Sequence, residues 1–145
     1  MHLAQVNVAK LLKPIDHPDI AEFVDNVDRI NALAEGHPGF VWRMSGDYEN
    51  EEATRIFGDP MLLINYSIWE TPEDLKNFVY RSGHMEVFRK KSNWFEQPKK
   101  SPLAMWWVKP GEIPSIEEAK RRLELLHDQG ESEEVFTFKR IIKKH

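Results

Sequence analysis

The sequence predicts an α+β fold, an antiparallel ferredoxin-like sheet with helices on one face, and three observations carry that expectation. Segments of alternating apolar residues interleave with segments of helical period in the order strand, helix, strand, strand, broken helix, strand, helix, strand. The helical segments open on capping residues and first-turn prolines, which separates them from the strands. The chain has 145 residues, the size of one domain built around a single core.

The first strand is "HLAQVNVA", residues 2–9, in which Ala4, Val6 and Val8 point one way and Leu3, Gln5 and Asn7 the other. Pro18 then suits a first helical turn, with Asp16 or His17 as its cap. Ile20, Phe23, Val24, Val27, Ile30, Leu33 and Ala34 recur at helical spacing up to Gly36. "GFVWRMS", residues 39–45, is a second strand, and "GDYENEEATRIFGDP" reads as a polar surface excursion.

"MLLINYSIW", residues 61–69, is the clearest strand: Leu62, Ile64, Tyr66 and Ile68 share one face, and Leu63, Asn65, Ser67 and Trp69 the other. Thr71, Pro72 and Asp74 start a short helix with Leu75, Phe78 and Val79 inward. Gly83 interrupts it, and a second segment runs through Val87, Phe88, Trp94 and Phe95. "LAMWWVK", residues 103–109, is another strand. Ser115 with Glu118 forms a capping box for a helix carrying Ile116, Ala119, Leu123 and Leu126, and "EVFTFKRII" is a last strand.

Composition narrows the function. A hydrophobic fraction of 41% with no apolar run near 18 residues predicts no membrane span. The amino-terminal "MHLAQVNVAK" has no basic n-region or cleavage site, so export is not expected and a cytoplasmic location is. With no cysteine there are no disulfides and no thiolate chemistry. A net charge of -4 argues against nucleic acid as a partner, and the basic stretch of residues 88–100 reads as a solvated helix face. Nucleotide-loop and serine-hydrolase motifs are absent, and the histidines at 2, 17, 37, 127 and 145 show no ligand-like pairing, so no metal is expected.

The sheet face opposite the helices is read as the one bearing Leu3, Gln5, Asn7, Leu63, Asn65, Ser67 and Trp69. It is too apolar for water and too polar for a sealed core, which suits a pocket or a dimer seam.

"HPGFVWRMS" at the second strand and "LINYSIWETPEDLKNFVYRSGHMEVFRK" across the third strand and following helix resemble the dimeric α/β-barrel superfamily, in particular its antibiotic-biosynthesis-type monooxygenases and an uncharacterised bacterial family related to them. The resemblance covers about residues 2–109 of a single domain, residues 1–145, and leaves 110–145 as an extension carrying the extra helix and strand. It implies a homodimer in which paired sheets enclose a cavity per subunit, and a small apolar or aromatic ligand. It also implies cofactor-independent monooxygenase chemistry as one reading, a non-catalytic binding or interaction module as another, and a haem-binding protein as a third. Haem-degrading relatives use a first-strand asparagine, an aromatic and a helical histidine, and Asn7, Phe78 or Trp69, and His84 occupy comparable places.

Under the oxygenase reading His84 removes a proton, and Asn7 with Asn65 stabilises the developing negative charge. His84 precedes Val87 by three and Phe88 by four, so a helix there puts it on their apolar face. A capping or core-edge histidine is the alternative. Gln5 and Ser67 are expected to orient the ligand, with cross-strand pairing or ordered water at a dimer seam as the alternative. Arg43 is expected to counter an anionic group, with an exposed strand arginine as the alternative. Trp69, Phe78 and Trp107 are expected to wall the ligand, with plain core packing as the alternative.

Overall fold

The computed structural model describes residues 1–46, 49–81 and 90–140. Among them, β1 (His2–Lys10), β2 (Phe40–Arg43), β3 (Leu62–Trp69) and β4 (Leu103–Val108) form one sheet in the order β2-β3-β1-β4, each neighbouring pair antiparallel. The helices are α1 (Ala21–Glu35), α2 (Glu51–Phe57), α3 (Pro72–Arg81) and α4 (Ile116–Gln129). This is the ferredoxin-like α+β class that the element order predicted.

The caps sit where the residue types demand them. His17 Nδ1 accepts the Asp19 N–H at 3.0 Å and starts the 3-10 turn that leads into α1. Thr71 Oγ1 accepts from Asp74 N–H at 3.1 Å, and Ser115 Oγ from Glu118 N–H at 3.1 Å. The polar excursion contains a helix that the sequence reading passed over. Asn50 caps α2 by accepting the Ala53 N–H at 2.9 Å, and Gly58 ends it in the left-handed region at φ 75°. Seven residues with few apolar side chains give too short a stripe for periodicity to register.

The two sheet faces are covered differently from the expectation. Alternation tells which residues share a face, but not which face the crossover helices pack upon. In the structure α1 and α3 lie on the face of Leu3, Trp69 and Met105, where Ala34, Leu75 and Phe78 complete the core. The opposite face, with Ala4, Val6, Ile64, Tyr66 and Trp106, is covered by Ala53 of α2 and by Ala119, Leu123 and Leu126 of α4. The helices therefore occupy both faces, and the extension supplies the second layer.

Tyr66 Oη donates to the Pro114 carbonyl at 2.7 Å and ties β3 to the loop before α4. Burial pushes its hydroxyl above the ordinary tyrosine range, and the Glu118 and Glu112 carboxylates add to the shift.

The expected last strand is reduced, among the described residues, to one antiparallel bridge, Met105 with Phe136, its two N–H···O bonds 2.8 and 2.9 Å long. Thr137, the next residue, has its N–H turned away from β4, and its N–H and hydroxyl both donate to Glu131 Oε1, at 2.8 and 2.5 Å. Of the expected second half of the broken helix, residues 82–89 lie outside the described residues, Lys91–Asn93 is a single 3-10 turn, and Trp94 is a core residue packed near Phe23.

Candidate functional site

Between the sheet and the α1–α3 layer lies a cavity of about 840 Å³. Its floor is the alternating set Gln5 and Asn7 from β1 with Leu63, Asn65, Ser67 and Trp69 from β3. Its walls come from Phe23, Val27 and Ile30 of α1, Leu75, Phe78 and Val79 of α3, and Trp94. The register pairs Leu3 with Trp69, Gln5 with Ser67 and Asn7 with Asn65, which brings side chains 58 or more residues apart into hydrogen-bond reach.

A polar array runs along that floor. Gln5 Nε2 donates to Ser67 Oγ at 2.7 Å and to Asn65 Oδ1 at 2.8 Å, and Trp69 Nε1 donates to Ser67 Oγ at 2.9 Å. Gln5 is 3% and Ser67 5% exposed, so each of these bonds offsets a real desolvation cost. Beside the array Trp69 stacks on Phe78, and the His37 ring meets both edge-on. Arg43 stands opposite Ser67 in the β2–β3 register and borders the cavity. Its Nε donates to Glu35 Oε1 at 3.2 Å and its Nη1 to the Met44 carbonyl at 3.2 Å.

The structure thus brings together Gln5, Asn7, Arg43, Asn65, Ser67, Trp69 and Phe78 around one cavity. Trp107 is a correction. It sits on the same sheet face but at the β4 edge, where the carboxy-terminal segment folds back and places the Phe136 ring 5.9 Å from it, outside the cavity lining. His84 lies outside the described residues. Axial ligation of haem by His84 falls outside them as well.

Sequence reasoning missed His127. It lies on the cavity lining with its Nε2 2.7 Å from the Ser101 carbonyl. A carbonyl only accepts, so Nε2 carries a proton, and the tautomer this bond selects is the one with its lone pair on Nδ1. The signal available was weak. His127 follows Leu126 at the edge of the α4 apolar stripe, and nothing in the local pattern says that the Lys100–Leu103 segment passes beside it.

A family model described as "Domain of unknown function (DUF3291)" matches residues 2–145. No curated protein matches the chain. Among solved structures, a conserved protein from Methanosarcina mazei Go1 is similar over 75% of this chain and 94% of its own, with TM-score 0.56 and 18% identity. SnoaB, a cofactor-independent oxygenase from Streptomyces nogalater, is similar over 79% of this chain and 98% of its own, with TM-score 0.53 and 15% identity. At such identities the likeness is one of fold.

Proposed function

The chain belongs to the DUF3291 family, and from its cavity we propose that it binds a small, planar, largely apolar molecule and oxygenates it without a cofactor. The observation that carries the reading is the pairing of an aromatic wall, Trp69 on Phe78, with the buried polar array of Gln5, Asn65 and Ser67 in one cavity. The fold shared with SnoaB, a cofactor-independent oxygenase, supports the chemistry.

In this reaction an activated ring methylene loses a proton to a base, and the carbanion gives its electrons to dioxygen. One oxygen atom ends in the carbonyl formed at that carbon and the other leaves as water, so the substrate supplies all the electrons. The Asn65 amide hydrogens stabilise the oxyanion formed on the substrate. Among the described cavity residues His127 offers a base through Nδ1, and His84 is the base that the sequence reading nominates. Asn7, exposed and paired in register with Asn65, stands at the same end of the cavity as Leu103.

The test is oxygen uptake by the purified protein over a panel of polycyclic phenols and ketones with an activated methylene, for wild type, His127→Gln and His84→Ala. Loss of a general base lowers turnover by about 10²–10⁴-fold, and the variant that shows this names the base. A panel that binds without oxygen uptake would leave a binding protein. The two hydrogen bonds that Gln5 and Trp69 donate to Ser67 Oγ, which hold the floor as a rigid recognition surface, favour that second reading.

A further inference from the structure

We infer that the Ser67 hydroxyl is a fixed hydrogen-bond donor on the cavity floor, and that the bound molecule presents an acceptor oxygen to it, a ring carbonyl or a deprotonated hydroxyl. A hydroxyl has one hydrogen and two lone pairs. The amide nitrogen Gln5 Nε2 and the indole nitrogen Trp69 Nε1 can only donate, and both converge on Ser67 Oγ, at 2.7 and 2.9 Å. Both lone pairs are therefore filled. The O–H is what remains, and among the described residues no acceptor takes it.

The surroundings repeat the same polarity. Asn65 Oδ1 is occupied by the other hydrogen of Gln5 Nε2, at 2.8 Å, which leaves the Asn65 Nδ2 hydrogens as donors. Asn65 and Ser67 lie two residues apart on one strand face, about 7 Å along β3, so both donors reach one bound ring system. Arg43, opposite Ser67 across β2 and β3, borders the same wall, its guanidinium paired with the Glu35 carboxylate. The ring plane is set as well, because the Trp69 indole held on Ser67 is the one stacked on Phe78. Ser67 thereby becomes the residue that decides which planar molecules are accepted, since a ligand without an acceptor leaves a buried donor unmet.

This inference rests on the proposed cavity ligand, and the experiment separates the two. Fluorene, carbazole and fluorenone share one tricyclic shape and differ at one position, which carries CH₂, N–H or C=O, so their apolar contribution is nearly constant. Their binding to the full chain is measured by equilibrium dialysis. Fluorenone is expected to bind about tenfold tighter than fluorene, the value of roughly one net hydrogen bond, and carbazole no tighter than fluorene. In Ser67→Cys, whose thiol is a weak donor, the fluorenone preference falls to about threefold or less, while Ser67→Thr, which keeps the hydroxyl, preserves it. Equal binding of all three, or tightest binding of carbazole, overturns the donor assignment and leaves the cavity reading standing. Binding of none of the three overturns both.

Discussion

Trp69 and Phe78 lie with ring centroids 5.3 Å apart and planes inclined by 27°, one at the end of β3 and the other in the second turn of α3. They hold the α3 layer against the sheet and wall the cavity at the same time. Both are nearly out of water, at 1% and 6% exposure. Phe78→Ala is expected to cost about 3–5 kcal/mol, the usual range for emptying a large aromatic site, as read by urea unfolding. Phe78→Leu keeps most of the volume and costs less, but loses the ring face. It should therefore weaken planar ligands more than it weakens the fold. Unchanged affinity in that variant would show that the ring is packing alone.

Gly39 takes φ 85°, and a Cβ added there would fall 2.1 Å from Asp74 Oδ2. Its carbonyl accepts the Glu70 N–H at 2.7 Å, so the entry to β2 is pressed against the start of α3. Gly39→Ala should combine backbone strain with displacement of Asp74 from its bond with Thr71, at a cost of about 1–3 kcal/mol. Thermal unfolding checks it. A melting temperature equal to wild type would mean that the close approach relaxes freely.

Glu118 sits between two guanidinium groups, with Arg121 Nη2 at 2.6 Å and Arg122 Nε at 2.7 Å from its Oε1. The hydrogen bonds from Arg121, then those from Arg122, hold its carboxyl below the usual 4.5. Because the folded-state value is the lower one, the stabilisation is complete above about pH 4.5 and disappears as pH falls through that lowered value. For a partly exposed network about 0.3–1 kcal/mol is at stake. Glu118→Gln should lower stability at pH 7 and flatten its acid limb. A variant with the wild-type acid limb would assign that limb to other carboxylates.

Titration with haem, followed in the Soret region for wild type and His84→Ala, separates the oxygenase reading from the haem one. Under the proposed function, binding is weak, non-saturable and indifferent to the substitution. Saturation at one haem per chain with a Soret band lost in the variant would make His84 an axial ligand and displace the proposal.

How far the sequence reached depends on the range over which each signal acts. Period-two and helical patterns are local, so the four strands, α1, α3 and α4 were legible, as were the Thr71 and Ser115 caps. The grouping of Gln5, Asn65, Ser67 and Trp69 followed from strand alternation, because residues on one face of adjacent strands meet whatever the exact register. Which face received α1 and α3 was not legible, since both faces carry enough apolar residues to be buried. Trp107 and His127 depended on where the chain after β4 returns, a tertiary fact: Phe136 covers the first, and the Ser101 carbonyl recruits the second. α2 escaped because a helix of seven residues is held by its caps and by the burial of Ala53, neither of which is periodic.

The covering of the Ala4, Val6 and Trp106 face by α4 has a consequence for any shortened form of the protein. Residues 2–109 contain every strand of the sheet, yet a chain cut there would present Tyr66, Trp106 and Ile64 to water as a broad greasy slab. Such a fragment should stick to itself or precipitate rather than behave as a minimal version of the protein. The last quarter of the chain acts as a built-in chaperone for the rest: it occupies in advance the surface through which aggregation would begin.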